Sequence, residues 1–220
     1  MKLSCCAYSY RSELTGGTMS LDSFLETCVE VGFDGVELTQ YYFPDESPAL
    51  LNRVKRRAAA LGLSVTGTAV GGNFSQPGAK DRRKQIEHVC DWLEKSMRLG
   101  SPFLRVFAGH CPDDVARSVA EGWVRDGLAE CAEVAEKCGV VLALETHGGL
   151  TSDASGVLSL LEPFAGNPWV GLNLDFGNLT GDIYSQYRQL APHAVTTHAK
   201  RTVRQGDERE LVDYRRVVRL

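Results

Sequence analysis

Apolar residues along this chain recur in two rhythms that take turns. Stretches with a helical period end at a glycine and give way to short apolar runs: "VGFDGVEL", "LGLSVTGT", "LGSPFLRVF", "CGVVLALE" and "AGNPWVGLNLD". The first rhythm is that of an amphipathic helix, the second that of a buried strand. Glycine just past a helix supplies the left-handed cap. The pattern predicts strands near 3–7, 33–38, 63–69, 103–108, 140–145, 169–175 and 194–199. It predicts helices near 20–31, 47–61, 79–99, 113–138, 153–164 and 182–190, with another starting at Asp213. Strands alternating with helices of this length signal βαβ units on a parallel sheet. No linker or low-complexity segment intervenes, so residues 1–220 read as one α/β domain, a (β/α)8 barrel. An open doubly wound sheet is the alternative, but the first βα turn lacks the G-x-G-x-x-G fingerprint.

Side chains alternate between the two faces of a strand. In 140–145, Leu142 and Leu144 share one face while Val141, Ala143 and Glu145 share the other. In 169–175, Leu172 and Leu174 oppose Gly171, Asn173 and Asp175, and in 194–199, Val195 and Thr197 oppose Ala194, Thr196 and His198. Bulky residues suit the face covered by helices, and the other face would look into a barrel with a polar mouth.

That polar face ends repeatedly in a charge or an imidazole. Glu37 ends "GVEL", and Glu145, Asp175 and His198 end three successive strands. Barrel enzymes build their sites at these strand ends. Gathering buried carboxylates is costly unless a cation compensates them. Glu145, Asp175 and His198 therefore form a candidate site for one divalent metal ion, Mn²⁺, Mg²⁺, Co²⁺ or Zn²⁺. Arg105, inside the apolar "FLRVF", needs an anion or a carboxylate such as Glu37 or a neighbour. His88 falls within a helix and His193 starts a strand, so neither is a site candidate; His110 is a weaker one.

Composition narrows the partners. The 24 Lys and Arg against 28 Asp and Glu give a formal charge of −4, which argues against nucleic acid. No apolar run approaches the ~20 residues of a membrane helix. The N-terminus carries no long apolar signal segment, so a cytoplasmic location is expected. Seven cysteines without a C-x-x-C pair read as small buried hydrophobes in a reducing compartment. Cys111, in "GHCPDD", is a weak candidate for a reactive thiol.

The segments "LALETHGGLTSDASGVLSLL", "PWVGLNLDFGN" and "THAK" resemble the sugar phosphate isomerase/epimerase group of xylose isomerase-like TIM barrels. "MKLSCCAYSYR", "GFDGVEL" and "LRVFAG" extend the resemblance over essentially the whole chain. It implies one divalent metal held by Glu145, Asp175 and His198, completed in the family by a Glu at the end of the last strand. Glu145 and that Glu would flank the substrate as acid/base residues. His147 and Lys200 would contact substrate oxygens. Asn178 stands where many members carry His; it can hydrogen-bond a hydroxyl but cannot supply a proton. Glu37 and Arg105 complete the expected substrate-binding set. The implied function is a metal-dependent isomerase or epimerase acting on a sugar or keto-sugar through an enediolate. The alternatives are a dehydratase or lyase on an inosose or keto-sugar, and a non-catalytic sugar-binding barrel. A DNA-repair endonuclease of the same superfamily would need many more histidines than the five present, and a basic face. The expected partner is a small sugar or polyol, with room for a homo-oligomer.

After His198 come a loop and the start of a helix, "DYRRVVRL". The expectation is a C-terminally truncated barrel of seven strands, with the first and seventh left unpaired.

Overall fold

The computed structural model describes residues 2–206 and 208–219. Seven parallel strands lie side by side in chain order: β1 (Ser4–Cys6), β2 (Gly35–Thr39), β3 (Ser64–Ala69), β4 (Phe103–Val106), β5 (Val141–Glu145), β6 (Val170–Asp175) and β7 (Ala194–His198). The helices are α1 (Arg11–Thr15), α2 (Leu21–Val31), α3 (Pro48–Ala60), α4 (Ala79–Leu99), α5 (Arg117–Cys138), α6 (Ala154–Leu161), α7 (Ile183–Leu190) and α8 (Tyr214–Val217). Each strand pairs with its sequence neighbours, and β1 does not pair with β7. The result is an incomplete TIM-like barrel; among the described residues no eighth strand joins the sheet.

Local chemistry sets the element ends. Ser20 caps α2 by accepting from Ser23 N at 3.1 Å, and Asp153 caps α6 by accepting from Gly156 N at 2.8 Å. The core is a single cluster in which helix residues Phe24, Leu25, Val54, Trp92 and Leu128 meet strand residues Val36, Leu38, Leu104, Leu142 and Leu172. Trp92 packs edge-on against Phe43 at 5.7 Å, and its Nε1 donates to Glu46 Oε1 at 3.3 Å.

Three features depart from the sequence expectation. The helix expected from residue 113 starts at Arg117. The stretch after β7 contains an antiparallel hairpin, β8 (Thr202–Gln205) and β9 (Glu208–Leu211), whose charged sequence shows no alternation. It is anchored by the buried Val203 and by Gln205 Nε2 donating to Gly181 O at 3.1 Å. Third, the β6–β7 register shifts between Leu172 and Asn173, so Ala194 and Thr196 find partners and Val195 is skipped. Val195 was expected under helices; it is instead 40% exposed and lies over Gly171, where a Cβ would stand 2.5 Å from Val195 Cγ1.

Candidate active site

Strand alternation delivers side chains to one mouth from six strands. Register sets them across from one another: Cys6 opposite Glu37, Glu145 opposite Asn173, Asp175 opposite His198. β4 adds Arg105 from the strand interior, and the loops after β5, β6 and β7 add His147, Asn178 and Lys200. Gly177 gives Lys200 its path, since a Cβ there would stand 2.5 Å from Lys200 Cδ.

Glu145 is the centre of the network. It is buried, with Oε2 2.9 Å from Arg105 Nε and Oε1 3.0 Å from His147 Nδ1. Asn178 Nδ2 donates to Glu145 Oε1 at 3.2 Å and to Thr146 O at 2.8 Å. Arg105 Nη1 donates to Val70 O at 2.8 Å, and its guanidinium lies 4.0 Å from the Phe107 ring centre. Phe107 stacks on His147 with 4.0 Å between ring centres, so the imidazole is held although its side chain is 48% exposed.

Asp175 is fully buried. Its Oδ1 accepts from Gly177 N at 2.7 Å, and its Oδ2 lies 3.0 Å from Lys200 Nζ and 3.6 Å from His198 Nδ1. Lys200 Nζ also donates to Asn178 Oδ1 at 2.8 Å. His198 Nε2 lies 2.8 Å from Glu37 Oε2, while its Nδ1 lies 3.8 Å from Glu145 Oε2. Cys6 Sγ donates to Glu37 Oε1 at 3.0 Å.

Burial opposes charge on Asp175, Glu37 and His198, but their neighbours outweigh it. For Asp175, the His198 ring, the Lys200 ammonium and the Gly177 N–H hold the carboxyl below its ordinary range. For Glu37, His198 and Arg105 do the same. For His198, the Asp175 and Glu37 carboxylates, with Glu145 behind them, push the pKa up to about 10. Burial and the Glu37 carboxylate push the Cys6 thiol up, so it stays a donor.

The residues present fit a divalent cation. One ligand atom each from Glu145, Asp175 and His198 lies within 4.8 Å of the others. Asp175 Oδ2 is buried without an aligned hydrogen-bond donor. Two carboxylates and one imidazole suit a hard to borderline ion.

All eight residues singled out from sequence thus meet at one end of the sheet. Glu37 reaches His198 and Cys6. Arg105 finds Glu145, one of the neighbours that sequence left open. His110 is exposed and lies against Gly149. Sequence reasoning missed Cys6, read as a small hydrophobe, and Phe107, which looked like one more apolar strand residue. Asn173, whose Nδ2 lies 3.2 Å from His198 Nδ1, had been placed on the inner face without a role.

A parallel α/β barrel sheet that gathers carboxylates, two imidazoles, Arg105 and Lys200 at one mouth defines the class. The chain belongs to the xylose isomerase-like TIM barrel family, whose model matches residues 25–218. A curated relative, the alpha subunit of a C-glycoside deglycosidase from Arthrobacter globiformis, is 26% identical over 219 residues, covering 94% of this chain and 53% of its own length. The chain therefore spans about half the length of that relative. Among solved structures, D-psicose 3-epimerase from Clostridium cellulolyticum H10, with D-tagatose, matches at a TM-score of 0.76 and 21% identity, over 90% of this chain and 72% of its own. The apo 3-keto-D-glucoside 4-epimerase from E. coli matches at 0.73 and 17%, over 91% and 81%. A probable 3-DHS dehydratase from Bacillus anthracis matches at 0.73 and 23%, over 92% and 74%. These likenesses show the fold.

Proposed function

We propose that this protein removes a proton beside the carbonyl of a keto-sugar, with Glu145 as the base. The observation that carries the reading is the placement of Glu145. It is a buried carboxylate, countered by Arg105, steered by His147 and Asn178, and within ligand reach of Asp175 and His198. A divalent cation held by Glu145, Asp175 and His198 would supply Lewis-acid polarisation of the carbonyl. The chain's own groups do the rest. Glu145 takes the α-proton, and the contacts of its Oε1 with Asn178 and His147 fix the orientation of the carboxylate. His147 has Nδ1 engaged by Glu145, which leaves Nε2 to meet a substrate hydroxyl at the open mouth. Lys200 Nζ, bonded to Asn178 and beside Asp175, offers a fixed positive charge to a developing enediolate oxygen. Glu37 accepts from His198 Nε2 and so keeps Nδ1 facing Asp175 and Glu145.

Return of the proton to the other face gives epimerisation, and transfer to the neighbouring carbon gives isomerisation. Loss of a β-substituent gives elimination, and the named activity of the curated relative, a deglycosidase, favours that outcome. All three share the first step, so the test addresses that step. D-tagatose and a 3-keto-D-glucoside are incubated in D₂O with Mn²⁺, and exchange of the α-hydrogen is followed by NMR. The wild type should wash out at least one of them, and Glu145→Gln should not. Full exchange by Glu145→Gln with saturating Mn²⁺ would show that Glu145 is not the base.

A further inference from the structure

Cys6 of β1, Glu37 of β2 and His198 of β7 form a second group of ligand atoms, on the side of the imidazole away from Asp175. Cys6 Sγ lies 3.0 Å from Glu37 Oε1, and Glu37 Oε2 lies 2.8 Å from His198 Nε2. One ligand atom from each residue lies within 4.8 Å of the others. Glu37 is 7% exposed and Cys6 half-buried, so water competes poorly for these atoms. The proton-transfer reading has no use for the thiol. Sulfur also changes the donor chemistry. Thiolate, imidazole and one carboxylate select Zn²⁺ or Cd²⁺, whereas the Glu145, Asp175 and His198 set offers only oxygen and nitrogen.

We propose that Cys6, Glu37 and His198 Nε2 form a second cation site, for thiophilic divalent ions, which excludes a cation from the Glu145 and Asp175 side. On binding, the Cys6 thiol and the His198 Nε2–H each release a proton to solvent, and both Glu37 hydrogen bonds are given up. A neutral imidazole whose Nε2 ligates a metal carries its proton on Nδ1. That nitrogen faces Asp175 Oδ2 at 3.6 Å and Glu145 Oε2 at 3.8 Å, and becomes a donor to them instead of a ligand beside them. Conversely, a cation on Nδ1 leaves the proton on Nε2, where Glu37 accepts it. One ring therefore serves one site at a time. The exclusion rests on reading Glu145, Asp175 and His198 as a cation site; the thiophilic site does not.

The probes are Co²⁺ and Cd²⁺ added to the purified chain, with the sulfur-to-metal charge-transfer band as the signal. Wild type should give this band, and Cys6→Ser and Glu37→Gln should weaken Cd²⁺ binding beyond the ~10–100-fold expected for a lost supporting partner. Cys131→Ala removes one of the thiols that lie 3.9 Å apart at Cys90 and Cys131, and should leave the band intact. Asp175→Asn should also keep it; loss of the band in that variant would make Cys6 merely an extra ligand of the first site and overturn the proposal. Excess Mn²⁺ should weaken Cd²⁺ binding to wild type but not to Asp175→Asn, and equal binding with and without Mn²⁺ would overturn the shared-imidazole step alone. In the unaltered chain, Cd²⁺ should shield Cys6 from maleimide, read by peptide mass spectrometry. Labelling of Cys6 that Cd²⁺ leaves unchanged would sink the site whether or not the variants fold.

Discussion

Replacing Arg105 by Met tests whether the buried ion pair with Glu145 organises the mouth. The two side chains are 6% and 4% exposed, with Nε and Oε2 2.9 Å apart. Methionine keeps much of the aliphatic stem but leaves three groups short of a partner. Glu145 loses its adjacent cation, Val70 O loses its donor at 2.8 Å, and the Phe107 ring loses the guanidinium 4.0 Å from its centre. Removing one member of a buried pair costs about 3–5 kcal/mol. His198 Nδ1, 3.8 Å from Glu145 Oε2, takes over part of the charge, which points to the lower end, about 3 kcal/mol. For a chain of this size that is a fall in Tm of roughly 6–12 °C. Urea and thermal unfolding should be run on Arg105→Met, Glu145→Gln and the double variant. Because the double variant buries no lone charge, it should recover at least half of the Arg105→Met loss. Mn²⁺ should narrow the deficit as well, since a cation beside Glu145 replaces the missing charge. A loss within ~0.5 kcal/mol for Arg105→Met, or a double variant equal to the sum of the singles, would refute the reasoning.

The pKa of His198 rises from 6.5 to about 10 on folding, so without metal its contribution to stability is complete below pH 6.5. Above that the folded state holds the proton that the unfolded chain releases, so stability should fall up to about pH 10 at no more than about 1.4 kcal/mol per pH unit, and urea titrations of His198→Asn should lack this slope. Trp92→Ala empties a fully buried site and strips Glu46 of an indole donor; a loss of about 3–5 kcal/mol in urea unfolding is expected. Gly177→Ala sets a Cβ 2.5 Å from Lys200 Cδ and 3.0 Å from Thr202 O. The lysine stem can shift but the carbonyl resists, so about 1–3 kcal/mol should be lost, as measured by the same unfolding.

The βα order was legible because each unit is local: a helical period, a glycine cap and an apolar run. Glu145, Asp175 and His198 could be found for a related reason. Position at the end of a strand is a one-dimensional property, and the strands ending in Glu145 and Asp175 lie in clear apolar runs. What sequence could not supply is what depends on pairing between strands. Arg105 needed an acid, but whether it turned toward Glu37 or Glu145 is set by side-chain direction across β4 and β5. Cys6 sits beside another cysteine in a three-residue strand, and only the β1–β2 register sets it opposite Glu37. The Val195 bulge and the β8–β9 hairpin escaped because neither has an apolar alternation to reveal it.

The seven-stranded sheet also explains why Glu37 matters more than a strand-end carboxylate usually does. Cys6 with Glu37, Arg105 with Glu145 and Asp175 with His198 each join side chains from adjacent strands, and local register suffices to align them. The Glu37–His198 contact at 2.8 Å is different in kind, for it joins β2 to β7 across 161 residues and β2 is not β7's neighbour in the sheet. It therefore spans the mouth between the two sides of the curled sheet, and does so through the one ring whose other nitrogen faces Asp175 and Glu145. The same hydrogen bond links the two sides of the curled sheet and orients the imidazole. That bond joins Glu37 to the candidate cluster of His198, Asp175 and Glu145, a contact its place in "GVEL" could not reveal.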